Sequence, residues 1–146
     1  MARKAIFITG GGSGIGRAVA RHFAGQGWFV GIADVNSAGI DETAALLPEG
    51  ASSRHMMDVR DRDQWKAALD EFAKASGGRL DVLFNNAGIG LFGKTIDQHT
   101  EADYDRVMGI NATGVFLCVD LLRLLTKRFV DVDLLLGHID SNQFSI

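Results

Sequence analysis

Short β-branched apolar runs alternate along the chain with stretches in which apolar residues recur every third or fourth position. The first run, Lys4–Thr9 (KAIFIT), lacks polar alternation and predicts a strand buried on both faces. From Ile15 the apolar positions fall at Ile15, Val19 and Phe23, the spacing of a helix that Gly25 and Gly27 end. Trp28–Asp34 predicts a second strand. Ser37 can cap a short helix that stops before Pro48, and Ser53–Val59 predicts a weaker third strand. Asp61 and Gln64 have capping-box spacing at the head of a helix that carries Trp65, Leu69 and Phe72 on one stripe. Gly77 and Gly78 stop that helix, Leu80–Gly88 predicts a fourth strand, and Thr100 caps a long helix running to about Arg128. Strand and helix thus alternate four times, which predicts βαβ units, a parallel sheet and right-handed crossovers. In such sheets ligands bind beyond the carboxyl ends of the strands. The unusual residues of this chain gather at those ends: the glycines after the first strand, Asp34, Asp58, and Asn85-Asn86-Ala87-Gly88.

Composition narrows the function classes. With 146 residues, 47% apolar and 23% charged, the chain is one ordinary globular domain. A net charge of -3 without a basic stripe excludes a nucleic-acid surface. No apolar run is long enough to span a membrane, and glycines interrupt the N-terminal run before it could be a signal peptide. The single cysteine, Cys118, lies between Leu117 and Val119, which predicts a buried inert thiol and a reducing, cytoplasmic setting. His22, His55, His99 and His138 show no metal-ligand spacing and are expected at the surface or at edges, so no metal is expected.

The chemistry starts at Thr9–Gly16 (TGGGSGIG), where five glycines fall within seven residues. Glycine inside an element costs roughly 0.5–1 kcal/mol relative to alanine, so this density points to a turn whose backbone approaches something closely. Within this stretch Gly-x-Gly-x-x-Gly fails: Gly10 and Gly12 lead to Ile15, and Gly12 and Gly14 lead to Arg17. The NTP-binding pattern nearly fits from Gly11 to Gly16, but Arg17 and Ala18 replace its Lys and Ser/Thr, which argues against NTP hydrolysis. What remains is Thr-Gly-x-x-x-Gly-x-Gly, with Gly10, Gly14 and Gly16: exposed backbone N–H groups and a helix tip aimed at a diphosphate. Without a ligand, the same residues describe a tight strand-to-helix turn. Asp34, at the end of the second strand, can accept from both hydroxyls of an adenosine ribose and would repel a 2′-phosphate. Neither Ser13 nor Val35 adds a compensating cation, so NAD is favoured over NADP; Arg17 is the nearest candidate phosphate partner.

The motifs TGGGSGIG (9–16), Asp34, DV (58–59), NNAG (85–88) and NATG (111–114), in this order, resemble the short-chain dehydrogenase/reductase family over roughly residues 4–125. The resemblance implies an α/β, Rossmann-like doubly wound parallel sheet of four to five strands, incomplete at its C-terminal side. It divides the chain into a dinucleotide-binding domain, 1–129, and a divergent tail, 130–146, with a candidate fifth strand. It also implies hydride transfer between a nicotinamide cofactor and an alcohol or carbonyl. By this likeness Gly10, Ser13, Gly14, Ile15 and Gly16 hold the diphosphate, Asp34 the ribose, and Asp58 and Val59 the adenine. Asn85, Ala87 and Gly88 support the sheet and line the cofactor. Asn111 matches the helix asparagine that holds a water in the proton relay; read from the residues alone, it is a polar kink in an apolar helix.

The catalytic pair departs from the family pattern, which places a Lys four residues after a Tyr. The only tyrosine, Tyr104, is followed four residues on by Met108, and it precedes Asn111. A phenol with a pKa of about 10 is a poor base near neutrality without such help. Val132–Ser141 is the candidate fifth strand, with Ser141 near the place of the family's catalytic serine. The family's chains continue further, so the expectation is a shortened chain, through an early stop or a frameshift near Leu124. The residues fit an NAD-binding relic, a non-catalytic NAD-binding module, or a subunit whose site a partner chain completes. Val107, Val115, Leu121, Leu122 and Leu125 cannot all face one sheet, which predicts self-association through the 101–129 helix.

Overall fold

The computed structural model describes residues 3–93 and 95–125. Four strands, β1 (Ala5–Thr9), β2 (Phe29–Asp34), β3 (Ser52–Met56) and β4 (Val82–Phe84), form one parallel sheet in the order β3-β2-β1-β4. The central strands read as continuous apolar runs because both of their faces are covered. Ile6 pairs in register with Val30 on one side and Val82 on the other. Helices α1 (Gly14–Gly25) and α2 (Ser37–Ala45) cover the face that carries Ile6, Ile8, Val30 and Ile32. Helix α3 (Arg62–Ala75) and a last long helix cover the face that carries Phe7 and Phe29. There Phe72 meets Phe7 edge to face at 5.1 Å, and the Trp65 indole N–H donates to Val59 O at 2.8 Å.

The caps show which expectations were incomplete. Asn36, not Ser37, caps α2: its Oδ1 accepts from Gly39 N at 3.1 Å. Asp61 caps α3 as expected, but Gln64 Oε1 turns to the Asp58 N–H rather than back to the cap's own. Thr100 caps the last helix through a capping box with Asp103. That helix is interrupted: α4 (Glu101–Met108) passes into a π-turn at Gly109–Thr113 and then into α5 (Gly114–Leu125). β4 is shorter than the run Leu80–Gly88 suggested, because the chain leaves the sheet after Phe84 to build the loop beside the glycines. No helix among the described residues is long and apolar enough to cross a membrane. The tail 130–146, its candidate fifth strand, Ser141 and His138 lie outside the described residues.

His55, expected at the surface or at an edge, stands on the edge strand β3 but is buried. It is 4% exposed, tilted against the Phe7 ring with centroids 5.2 Å apart, with Nε2 2.8 Å from Ser53 Oγ. Burial pushes its pKa below 6.5, opposed in part by the Glu71 carboxylate 3.6 Å from Nδ1. Above about pH 6.5 the imidazole is neutral in both the folded and the unfolded chain. Below that the unfolded chain takes up a proton that the folded chain refuses, so stability falls as the pH drops toward the lowered folded pKa. The urea midpoint is expected to decline from about pH 7 to about pH 5. His55→Gln should flatten that decline; an unchanged slope in the variant would contradict this origin.

Candidate functional site

The glycine turn between β1 and α1 is stitched to both neighbouring strands. Thr9 Oγ1 accepts from the N–H groups of Asn86 and Ala87, both at 3.0 Å, which joins the end of β1 to the loop after β4. Asn86 Nδ2 donates to Thr9 O at 3.0 Å and to Gly10 O at 3.3 Å. On the other side, Gly11 N donates to Ala33 O and Gly12 N to Asp34 Oδ2, each at 3.0 Å. Gly10 is left-handed at φ 65°, and a side chain there would reach 2.9 Å from Asn86 Nδ2. A Cβ at Gly16 would collide with the Gly10 carbonyl oxygen, so the start of α1 packs directly on the turn.

The tip of α1 is open to an anion. Ser13 is its N-cap residue, yet its side chain caps nothing, and the first turn carries no acidic residue. The first N–H groups of a helix have no partner within the helix, and they carry the positive end of its dipole. They open on a cavity of about 530 Å³ at the carboxyl ends of the strands, lined by Gly10, Ser13, Gly14 and Ile15 from the turn. Asp34 lines the same cavity from β2, with Asp58 and Val59 after β3 and Ala87 and Gly88 after β4.

Three expected residues stand outside the lining. Gly16 lies behind the turn, against Gly10. Asn85 turns to the opposite side, where its side chain reaches the sulfur of buried Cys118, whose thiol burial pushes far above its usual range. Its neighbour Asn86 faces the turn and lines the cavity instead. In an extended segment adjacent side chains alternate sides, so a one-residue choice decides which asparagine meets the cavity. Asn111 sits in the π-turn with its amide paired to one backbone unit: Oδ1 accepts from Ile89 N and Nδ2 donates to Ile89 O, both at 2.9 Å. It thereby pins the chain leaving β4.

Arg17 is corrected as a phosphate partner. Its guanidinium turns away from the cavity and donates to Gly12 O, to Thr43 Oγ1 at 2.9 Å and to Glu42 Oε2 at 2.7 Å. Two other cations line the cavity, Arg60 and Arg106, which no motif singled out. Arg60 grips Asp58 with Nε 3.0 Å from both carboxylate oxygens, and its hydrogen bonds hold the Asp58 carboxyl below the usual range. Tyr104 is 63% exposed and does not line the cavity. Among the described residues, no group of three or more His, Cys, Asp or Glu could hold a metal ion.

A family model described as short chain dehydrogenase matches residues 4–129. The meso-2,3-butanediol dehydrogenase of Serratia marcescens is 36% identical over 115 residues, covering 79% of this chain and 45% of that protein. The crystal structure of a 3-ketoacyl-(acyl-carrier-protein) reductase from Brucella melitensis, complexed with NADH, superposes with a TM-score of 0.77 at 33% identity. That match covers 82% of this chain and 48% of the reductase. An NAD+-bound xylitol dehydrogenase superposes with a TM-score of 0.78 at 27% identity, covering 86% of this chain and 50% of its own. The chain spans about half the length of the curated relatives it matches.

Proposed function

Because this chain belongs to the short chain dehydrogenase family, we propose that it binds NAD at the carboxyl ends of its strands. When bound, NAD supplies a nicotinamide that exchanges a hydride with an alcohol or carbonyl carbon. The chain's own part is to bind and orient it. Gly10, Ser13, Gly14 and Ile15 form the diphosphate cradle with Gly16 packed behind it, Asp34 takes the adenosine ribose, Asp58 and Val59 border the adenine, and Ala87 and Gly88 line the cofactor from beyond β4. One observation carries this reading: an uncapped helix tip and a carboxylate face the same cavity from adjacent strand ends. The tip fits a diphosphate; the carboxylate fits a diol and repels a third phosphate.

NAD is the better fit than NADP because Asp34 would repel a 2′-phosphate, Arg17 is committed to Gly12, Thr43 and Glu42, and Arg60 on the cavity wall is held by Asp58. Calorimetric titration is expected to give heat with NAD and weaker binding with NADP. Asp34→Ala should weaken NAD by about tenfold or more, the loss of hydrogen bonds to a charged group, and narrow the gap to NADP. No heat with either dinucleotide would contradict the proposal.

Catalysis is proposed to require groups beyond those on the described residues. Tyr104, with Met108 four positions later and no place on the cavity, is not equipped as an acid–base pair. This supports a non-catalytic NAD-binding module, or a site completed by a partner chain, with Asn111 bracing the loop beside it. Ser141 keeps its proposed place near a catalytic serine position only on sequence grounds. Tyr104, Met108 and Phe116 are exposed at 63%, 40% and 64%, which supports association of copies through the segment 101–129. Sedimentation at tens of micromolar should show a dimer or larger species; a clean monomer would contradict it.

A further inference from the structure

The glycine turn has a conformational problem that its sequence creates. Glycine removes the steric penalty on flipped peptide units, so Gly10-Gly11-Gly12 could present either N–H or C=O groups to the cavity. A carbonyl turned inward would repel an anion. In the structure three successive peptide units are held against such flips. In the Gly10–Gly11 unit the carbonyl accepts from Asn86 Nδ2 at 3.3 Å and the N–H donates to Ala33 O at 3.0 Å. In the Gly11–Gly12 unit the carbonyl accepts from Thr43 Oγ1 at 2.9 Å and the N–H donates to Asp34 Oδ2 at 3.0 Å. In the Gly12–Ser13 unit Arg17 Nη2 holds the carbonyl, and the N–H belongs to Ser13, which lines the cavity.

Two of these anchors come from one small network. Thr43 on α2 is fully buried; its hydroxyl donates to Gly11 O and accepts from Arg17 Nε at 2.9 Å. The other arm of Arg17 binds Gly12 O and Glu42 Oε2 together. Gly39 of α2 presses on the same carbonyl, since a Cβ there would lie 2.8 Å from Gly12 O. The charge of Arg17 is met by Glu42, so its use here is the fork, which a lysine lacks.

We propose that Arg17 and Thr43 are positioning residues that fix the peptide orientation of the glycine turn and thereby set affinity for the diphosphate of a dinucleotide. They act through the backbone and touch no ligand, and the proposal rests on the NAD reading above. The saving is one of preorganisation: the three carbonyls are already tied to Asn86, Thr43 and Arg17 before an anion arrives. Asp34 and Arg17 bind opposite ends of the residue Gly12, one at its N–H and the other at its carbonyl.

The test is calorimetric titration of NAD, adenosine diphosphate and adenosine into the unaltered chain, Thr43→Val, Arg17→Met and Arg17→Lys. Each substitution is expected to weaken NAD and adenosine diphosphate by about tenfold, the worth of one hydrogen bond to a charged group, and to leave adenosine within about twofold. Arg17→Lys keeps the charge and loses the fork, so it should bind as weakly as Arg17→Met; it also carries the test if Thr43→Val fails to fold. Full binding by Arg17→Lys would overturn the proposal, as would parallel losses for adenosine and adenosine diphosphate. Heat with NAD that all three variants leave unchanged would sink the clamp while sparing the NAD reading. No heat from the unaltered chain would sink both.

Discussion

Gly16→Ala is expected to abolish measurable NAD binding. The added methyl group would run into the Gly10 carbonyl oxygen and lie 2.9 Å from Asn86 Nδ2. The Gly10 carbonyl cannot yield cheaply, because its peptide unit is tied to Asn86 on one side and to Ala33 on the other. The start of α1 must move instead, which carries its first N–H groups off the cradle. Overpacking of this kind costs roughly 1–3 kcal/mol of stability, and displacement of several donors at once should lower affinity by at least about a hundredfold. Gly25→Ala, in the same helix, is the control: nothing stands within 4 Å of its Cβ position. That variant should bind as the unaltered chain does. Titration with NAD and a thermal melt on both variants measure this, and tight binding by Gly16→Ala would contradict the packing described.

Phe72→Ala is the second large effect, and it falls on the scaffold. Phe72 is fully buried, edge-on to Phe7 at 5.1 Å and 5.9 Å from Phe29, where α3 crosses the sheet. Gly31 of β2 leaves the room it fills: a Cβ there would lie 2.7 Å from the Phe72 ring. Truncation leaves a cavity that neighbouring β1 and β2 cannot close without breaking their register, so the loss should be about 3–5 kcal/mol. Urea unfolding followed by tryptophan fluorescence reads it, since Trp65 lies 6.1 Å from Phe7 in the same cluster. A change below about 1 kcal/mol would contradict a single tightly packed core on this face.

The parts of the fold legible in the sequence are those that local pattern decides. Unbroken apolar runs marked β1 and β2 because both sheet faces are covered. The stripe Trp65, Leu69 and Phe72 marked the buried side of α3, and Thr100 marked the entry to α4. The missed features depend on distant partners. The π-turn at Gly109–Thr113 falls where Asn111 read as a polar kink, but its partner Ile89, 22 residues away, is not announced by the helix. His55 is buried because Phe7 and Phe72 pack on it across the sheet, although its own strand reads as polar.

At the candidate site the glycines, Asp34, Asp58, Ala87 and Gly88 were legible as residues gathered at strand ends, and Val59 through the family resemblance alone. What separates Asn86 from Asn85 is a one-residue alternation that follows only once β4 is known to end at Phe84. Arg17 was misread because a cation beside a glycine turn suggests a phosphate. Its true partners, Thr43 and Glu42, lie on α2, 26 and 25 residues away in the chain. Arg60 was missed because the signal that names it is its hold on Asp58, two residues back, which composition does not reveal.

The most direct test is nuclear magnetic resonance of the backbone amides during titration with NAD. If the turn and the tip of α1 cradle the diphosphate, the amide signals of Gly10 and Ser13–Gly16 should shift most, with smaller shifts at Asp34, Val59 and Ala87. If those glycine signals stay in place at saturating NAD, or the shifts gather on another face of the sheet, the cradle is not where the dinucleotide binds.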